Sequence, residues 1–396
     1  MAKSTNVIGG TDSADEDAPR SFTVDGNMLT ILSLGSDRLA GLIALIDGAQ
    51  RSLRLLYYIY CPDDTGRLVR DAVERALDRG VTVSLIVDGF GSTAPADFFT
   101  ILSDKGATVC RFLPRFGRRY LLRNHQKLAL ADESVALIGG FNIEDAYFDN
   151  ANGWRDLGLR IEGPAAERLT GYFDALSRWT KADRGRLRDL GRMLGHWSEP
   201  AGGQVRWLFG GPMRRLSPWA LTLRADIGAA AHTDMIASYF VPNPLMLRRL
   251  EQVAKRGGQT RVVTAAKSDH PATIAAARHT YARLIRRGVR VFEYLPLRLH
   301  TKLFVIDRIV HIGSANFDVR SLYLNLELML RVEDEAFAAF MRSYVEREIA
   351  NSREITAADH AKAGWTDRLR WSLAYFVVAI LDNRLTRRLN FGVEKG

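Results

Sequence analysis

Cysteine is scarce. Only Cys61 and Cys110 occur in 396 residues, each in an apolar setting, LLYYIYC and ATVCRFL. Two such residues exclude a disulfide-stapled scaffold, and both are expected as reduced core side chains rather than metal ligands. Long hydrophobic runs are missing too. The best is WSLAYFVVAIL, the eleven residues 371–381, which as a helix rise roughly 16 Å against a hydrocarbon core of about 30 Å. Arg368 and Arg370 precede it, and Arg384, Arg387 and Arg388 follow. That flanking suits a helix lying on a bilayer surface; the alternative is a helix docked on the protein's own core. The N-terminus, MAKSTNVIGGTDSADEDAPRS, has no apolar segment. It is expected as a disordered lead-in, not a signal peptide, on a cytoplasmic protein. Acid is in deficit as well: 55 Lys and Arg face 45 Asp and Glu, a net charge of +10. This favours an anionic partner, whether nucleic acid, anionic lipid or a phosphorylated substrate, without choosing among them.

What the chain does contain is a duplication. In the first half, SDRLAGLIALIDGAQ has the apolar spacing of a helix, RLLYYIY reads as a strand, and DTGRLVRDAVERALDRG as an amphipathic helix ending at Gly80. VTVSLIVDG is a buried strand, DFFTILSDKG a short helix and ATVCRFLP a strand. The second half repeats the order: DMIASYFVP answers RLLYYIYCP, LMLRRLEQVAKRGG the long helix, TRVVTAAKSD the buried strand, and ARLIRRGVRVFEYLP the segment ILSDKGATVCRFLP. Strands alternating with helices at this spacing predict two α/β domains, each a mixed sheet covered by helices. The expected boundaries are a disordered segment over 1–35, a first domain over 36–180, a linker over 181–203, a second domain over 204–348, and a C-terminal helical region over 349–396.

The chemistry sits in two matching stretches, NHQKLALADESVALIGGFN at 124–142 and LHTKLFVIDRIVHIGSANF at 299–317. Each has His, then Lys two residues on, then Asp, then a glycine turn ending in Asn. In a strand, residues two apart share a face, so His125 and Lys127 are expected to project together, as are His300 and Lys302. Asn142 and Asn316 return beside them. Neither half is complete alone. Face to face, the halves would set two imidazoles about one tetrahedral anion, with two Lys and two Asn on its oxygens, which is a phosphodiester site. The built-in cations suit phosphoryl chemistry without a metal or cofactor. Aligning DLGLRIEG with ELMLRVED sets Asp156 opposite Glu327. Asp156 is expected to orient His125 and Glu327 to orient His300, as the third member of a triad does, the alternative being strand caps. Asp132 and Asp307 follow apolar runs before turns and are expected to hold backbone.

These residues resemble the phospholipase D superfamily, whose signature is His-any-Lys, four residues, Asp, then Gly and Asn. Within it the closest likeness is to bacterial cardiolipin synthases: RNHQK, GGFNIEDAY, GWRD and IEGP in the first half, YFVPN, LHTK, GSANFDVRS and LNLE in the second, over about residues 36 to 348. The copies depart from each other by one residue in the Asp-to-Gly gap and by Gly140 against Ser314. Gln126 stands where a basic residue is frequent, and the membrane helices that some family members carry at the N-terminus have no counterpart here. The resemblance implies two pseudosymmetric α/β/α sandwich domains with the active site between them. It also implies phosphatidyl transfer through a phosphatidyl-histidine intermediate, with His125 as nucleophile and His300 as acid, then base. Phosphatidylglycerol is the implied substrate, and the cytoplasmic face of the bacterial inner membrane the implied place of a peripheral enzyme. No oligomeric state is implied.

Two rivals share this site. A hydrolytic phospholipase would use the same residues with water as acceptor. A nuclease of the superfamily fits the charge, but the chain lacks the interleaved basic and aromatic tract that nucleic-acid grooves use, so nucleic acid is not expected. His196, His232, His270, His279, His311 and His360 fit no repeated pattern and are read as surface or core. Arg118, Arg119 and Arg123 are candidates for headgroup contacts or for solvated charge, and Phe90, Gly91 and Trp154 for pocket lining or packing.

Overall fold

The computed structural model describes residues 17–112, 122–182, 186–199, 202–213 and 216–381. Two eight-stranded mixed sheets carry the two halves. The first runs, from edge to edge, Arg20–Val24, Asn27–Leu32, Gly158–Glu162, Val135–Gly139, Leu128–Ala131, Ser52–Tyr57, Thr82–Asp88 and Thr108–Phe112. The second runs Val205–Gly210, Glu327–Glu333, Ile309–Gly313, Lys302–Ile306, His232–Ala237, Gln259–Ala265, Arg290–Tyr294 and Ser352–Glu354. In each, the apolar strands that bracket the long helix are parallel, as a helical crossover demands, and the strand after each Lys returns antiparallel.

Local sequence explains the repeated pieces. The helix Asp64–Asp78 starts where the Asp63 carboxylate accepts the Gly66 N–H at 2.9 Å; Pro244–Lys255 starts where Asn243 accepts from Met246, also at 2.9 Å. Both helices end at left-handed glycines, Gly80 and Gly257.

The inner faces of the two sheets share one core. It runs from Leu56, Leu128 and Leu130 through Tyr172 and Leu176 to Trp207, Phe209, Leu303 and Leu330. The helix Pro164–Lys181 stitches the halves: Tyr172 stacks on Phe209 with centroids 4.0 Å apart, and the Trp207 indole N–H donates to the Ala165 carbonyl at 2.7 Å. Separate clusters lie beneath the outer helices of each half.

Three expected boundaries need correction. Residues 20–32 are not a disordered lead-in but a hairpin on the edge of the first sheet, turned by Asp25 and Gly26 at positive φ. The rest of that lead-in, residues 1–16, lies outside the described residues. The expected linker contains a helix, Leu187–Trp197, whose Leu190 and Leu194 enter the shared core. Past residue 348, Ser352–Glu354 still belongs to the second sheet, pairing with Phe292–Tyr294. Beyond it the helix Trp365–Tyr375 docks on Pro271–Arg286, burying Tyr375 with Val241, Ala276 and Val319. Arg118, Arg119, Arg384, Arg387 and Arg388 fall outside the described residues.

Candidate active site

The chain reaches the site by crossing between halves. The segment before His125 leaves its own sheet: the His125 N–H donates to the Leu326 carbonyl at 2.9 Å, and Leu326 N–H to the Arg123 carbonyl at 2.9 Å. Reciprocally, Arg298–Leu299 pairs in parallel with Trp154–Arg155, and the His300 N–H donates to the Arg155 carbonyl at 2.8 Å. Each histidine is thus pinned beside the residue that precedes the other half's carboxylate.

The side chains follow. His125 Nδ1 lies 3.0 Å from Glu327 Oε2, and His300 Nδ1 lies 2.7 Å from Asp156 Oδ2. The expected pairing is therefore exchanged: Glu327 orients His125 and Asp156 orients His300. Backbone pairing across the interface sets this, because position along each half's own strand does not bring a carboxylate to its own histidine. A carboxylate can only accept, so Nδ1 carries hydrogen in both rings and Nε2 is left for substrate.

All of these groups are buried. Burial pushes the His125 imidazole below its usual range, against Glu327 pulling it up. Burial and then Lys302 push His300 down to about 3 despite Asp156. Burial would raise both carboxyls, but the His and Lys groups beside them hold Asp156 and Glu327 below their usual values. Each pair therefore rests as a neutral imidazole on an anionic carboxylate. Burial lowers Lys127 well below the ordinary lysine range and Lys302 to about 8. Each amine donates to the carbonyl of its own motif histidine, Lys127 to His125 at 2.6 Å and Lys302 to His300.

The amides are fixed by their oxygens. Asn142 Oδ1 accepts the Ile59 N–H at 3.1 Å, and Asn316 Oδ1 accepts the Ser238 hydroxyl at 2.7 Å. Their NH2 ends remain as donors. Aromatic rings wall the histidines: Tyr58 meets His125 edge-on at 5.1 Å, while Tyr147 and Trp154 meet His300 at 5.1 and 5.4 Å.

Gly140 and Ser314 occupy matching places with different consequences. A Cβ on Gly140 would stand 2.6 Å from an Asp156 oxygen, so no side chain fits. Ser314 instead donates its hydroxyl to Glu327 at 2.5 Å. Asp132 and Asp307 lie at the turns, both at positive φ. Asp132 accepts the N–H groups of Gln50, Arg51 and Ser52, and Asp307 those of Ala231 and His232. Among the described residues no group of three or more His, Cys, Asp or Glu side chains is arranged to hold a metal ion.

A family model described as cardiolipin synthase, PLD-like domain, matches residues 42–177 and 223–349. The chain belongs to that family. Cardiolipin synthase A of Pseudomonas fluorescens is 30% identical over 367 residues, 90% of this chain and 75% of that protein. Cardiolipin synthase 1 of Bacillus cereus is 29% identical over 348 residues, 84% of this chain and 68% of that one. The crystal structure of a phosphatidylserine synthase of Haemophilus influenzae superposes with a TM-score of 0.71 at 13% identity, covering 94% of this chain and 98% of that one, a likeness of fold. The enzyme is cardiolipin synthase-like, a phosphatidyltransferase of the phospholipase D superfamily.

Several residues of this family member escaped sequence reasoning. Ser321 adds a hydroxyl bond to Glu327 at 2.8 Å. Asp88, at the end of the buried strand VTVSLIVD, accepts the N–H groups of Phe90, Gly91 and Asn124 and so fixes the approach to His125. The Asp in a strand-ending Asp-Gly was a visible signal; Tyr58 and Tyr147 carried none. Arg123 lies buried with its guanidinium 3.7 Å from the centre of the Phe90 ring. Trp154 serves both packing and lining: it is buried, stacked on Tyr147, and its ring also meets His300.

Proposed function

We propose that the enzyme joins phosphatidylglycerol to a second phospholipid through a phosphatidyl-histidine intermediate. The exchanged His–carboxylate pairs carry this reading, because they present two Nε2 atoms of equivalent preparation from opposite halves. His125 Nε2 attacks phosphorus and the bond to glycerol breaks, His300 giving the departing oxygen its proton. The second lipid's hydroxyl then loses its proton to His300, and its oxygen displaces His125 from phosphorus. The phosphodiester's negative charge offsets Lys302 and favours the protonated His300 this step needs. Lys127, Lys302, Asn142 and Asn316 stabilise charge on the phosphoryl oxygens.

The place of action in this reading is the cytoplasmic face of the bacterial inner membrane. Among the described residues no helix is long and apolar enough to cross a membrane. The helix Trp365–Tyr375 instead exposes Trp365, Leu369 and Leu373 along one side, with Phe376 and Val377 exposed beyond it. Its Tyr375 hydroxyl donates to the Pro242 carbonyl at 3.0 Å, close in the chain to Ser238 of the site. An apolar stripe bordered by arginine suits headgroup depth.

The test is lipid mass spectrometry after incubation with phosphatidylglycerol liposomes in EDTA, beside His125→Ala and His300→Ala. Cardiolipin from the parent protein alone is the expected result. Phosphatidic acid alone would mean that water is the acceptor.

A further inference from the structure

A cavity of about 390 Å³ lies between the helix Pro271–Arg286 and the C-terminal helix Trp365–Tyr375, closed at one end by the short helix Ala357–Ala361. Its polar lining is His279, Arg286, His360, Arg368 and Ser372, with Trp371 and small aliphatic side chains making up the rest. No carboxylate lines it. None of these groups belongs to the paired histidines or their carboxylates.

Two nearby acids are already engaged, and Asp367, beside Arg368 in the helix, is not among the groups that line the cavity. Glu293 is held by Arg278 and Arg353, and Asp359 by Thr356 and Lys362. Among the described residues neither Arg286 nor Arg368 forms an ion pair; Arg368 donates only to the Ala361 carbonyl, at 3.2 Å. His279 Nδ1 meets the Ser372 hydroxyl at 3.2 Å and its ring stacks on Tyr375 at 4.6 Å. His360 leans on Trp371 at 5.2 Å, and its Nε2 is buried with no hydrogen-bond partner. A buried polar atom without a partner costs stability unless something occupies the space beside it. Two guanidinium groups without an ion pair, Arg286 and Arg368, border the same space, a setting that suits an anion rich in acceptors.

The position of the cavity identifies the source. At a helical repeat of about 100° per residue, Arg368 and Ser372 sit between the cavity face and the exposed stripe of Trp365, Leu369 and Leu373. The cation-lined space therefore opens along the edge of the apolar stripe. That juxtaposition places a headgroup in the cavity when its acyl chains lie beside the stripe. The volume falls in the range of small-ligand pockets.

We propose that this cavity binds the phosphate headgroup of an anionic phospholipid, a lipid site separate from the catalytic one that anchors the enzyme to the bilayer. It rests on the reading of the enzyme as a membrane-surface transferase.

The test compares sedimentation with phosphatidylcholine vesicles against vesicles in which a fifth of the lipid is phosphatidylglycerol. Arg286→Ala with Arg368→Ala is expected to weaken partition onto the anionic vesicles about tenfold and leave the neutral ones unchanged. Leu369→Ser with Leu373→Ser is expected to weaken both. A control of equal charge, Arg67→Ala with Arg192→Ala in other helices, is expected to do little. Equal losses in the control and the cavity variant would reduce the effect to net charge and overturn the site. Stabilisation of the parent, but not the cavity variant, by inorganic phosphate, with vesicle partition equal in both, would assign the cavity to free phosphate and overturn the lipid assignment. A dimer that only the stripe variant dissociates, with vesicle binding unaffected, would make a second copy the occupant and overturn it as well. Cardiolipin formation from detergent-dispersed phosphatidylglycerol tests the transferase separately. Its absence sinks that reading, whereas its presence beside an unaltered vesicle preference sinks only the cavity.

Discussion

The two half-sites are built to one plan and differ in how their carboxylates are held. Glu327, behind His125, accepts three side-chain donors: the imidazole, Ser314 and Ser321. Asp156, behind His300, accepts the imidazole and the Leu157 N–H at 2.8 Å, with Gly140 leaving no room for a further hydroxyl. Serine hydroxyls share the charge of Glu327, and the His125 imidazole in front of it is also the more exposed ring, 9% against 4% for His300. A duplicated half can thus keep its geometry while a glycine-to-serine difference retunes the base behind each ring. Neither half is geometrically complete alone: each histidine takes its carboxylate partner from the other half.

The largest expected effect breaks that dependence. Glu327→Gln and Asp156→Asn should each lower kcat by about 10²–10⁴, since an amide favours the wrong tautomer without moving the ring. The proton resonance of each Nδ1–H identifies the partner. Glu327→Gln should abolish the low-field signal that His125→Ala also abolishes, and leave the one lost in His300→Ala. Loss of the His125 signal in Asp156→Asn instead would restore pairing within each half and undo the exchange.

A pH series sharpens the comparison next. Lys302 is lowered to about 8 chiefly by burial, so its cation is present below that value and lost as pH rises through it. kcat/KM should fall on an alkaline limb near pH 8, and Lys302→Arg, which stays charged, should lack that limb at reduced activity. Stability should move the other way. Between pH 8 and the usual lysine value the unfolded chain binds more protons, so this group makes unfolding harder as pH rises, by up to about 1.4 kcal/mol per pH unit. His300, lowered to about 3 by burial and Lys302, works by the same sign. Its contribution grows from pH 3 to about 6.5 and should vanish in His300→Gln. Activity and stability rising together across pH 8 would rule out Lys302 as the titrating group.

The duplication, the succession of strands and helices along each half and the set of six His, Lys and Asn residues could be read from sequence because each rests on local period and spacing. The exchange could not. It is made by backbone bonds such as His125 N–H to the Leu326 carbonyl, which join residues far apart in the chain and leave no local pattern. The hairpin at 20–32 was different: Val-Asp-Gly-Asn between RSFT and MLTIL is a strong two-residue turn signal, overshadowed by the polar composition before it. Leu187, Leu190 and Leu194 likewise hold the spacing of three and four that a helix needs, obscured by the arginines and glycines among them.

The smallest effect falls on the motif residues farthest from phosphate transfer. Asp132 gathers three consecutive backbone N–H groups, Gln50 at 2.8 Å, Arg51 at 2.7 Å and Ser52 at 3.0 Å, and so fixes the entry to the strand Ser52–Tyr57. Asp307 does the same for His232–Ala237 with the N–H groups of two residues, Ala231 and His232. Burial raises the Asp132 carboxyl, but those N–H bonds outweigh it and hold the group below its usual value. Asparagine tolerates the positive φ of both positions, so Asp→Asn removes charge and one acceptor without adding backbone strain. Asp132→Asn should cost about 1–2 kcal/mol in urea unfolding and Asp307→Asn somewhat less, with kcat within about twofold of the parent at a temperature where both stay folded. A fall in kcat without a fall in stability would move these aspartates from the scaffold into the chemistry, and the two half-sites would each gain a carboxylate that their present geometry keeps at the turn.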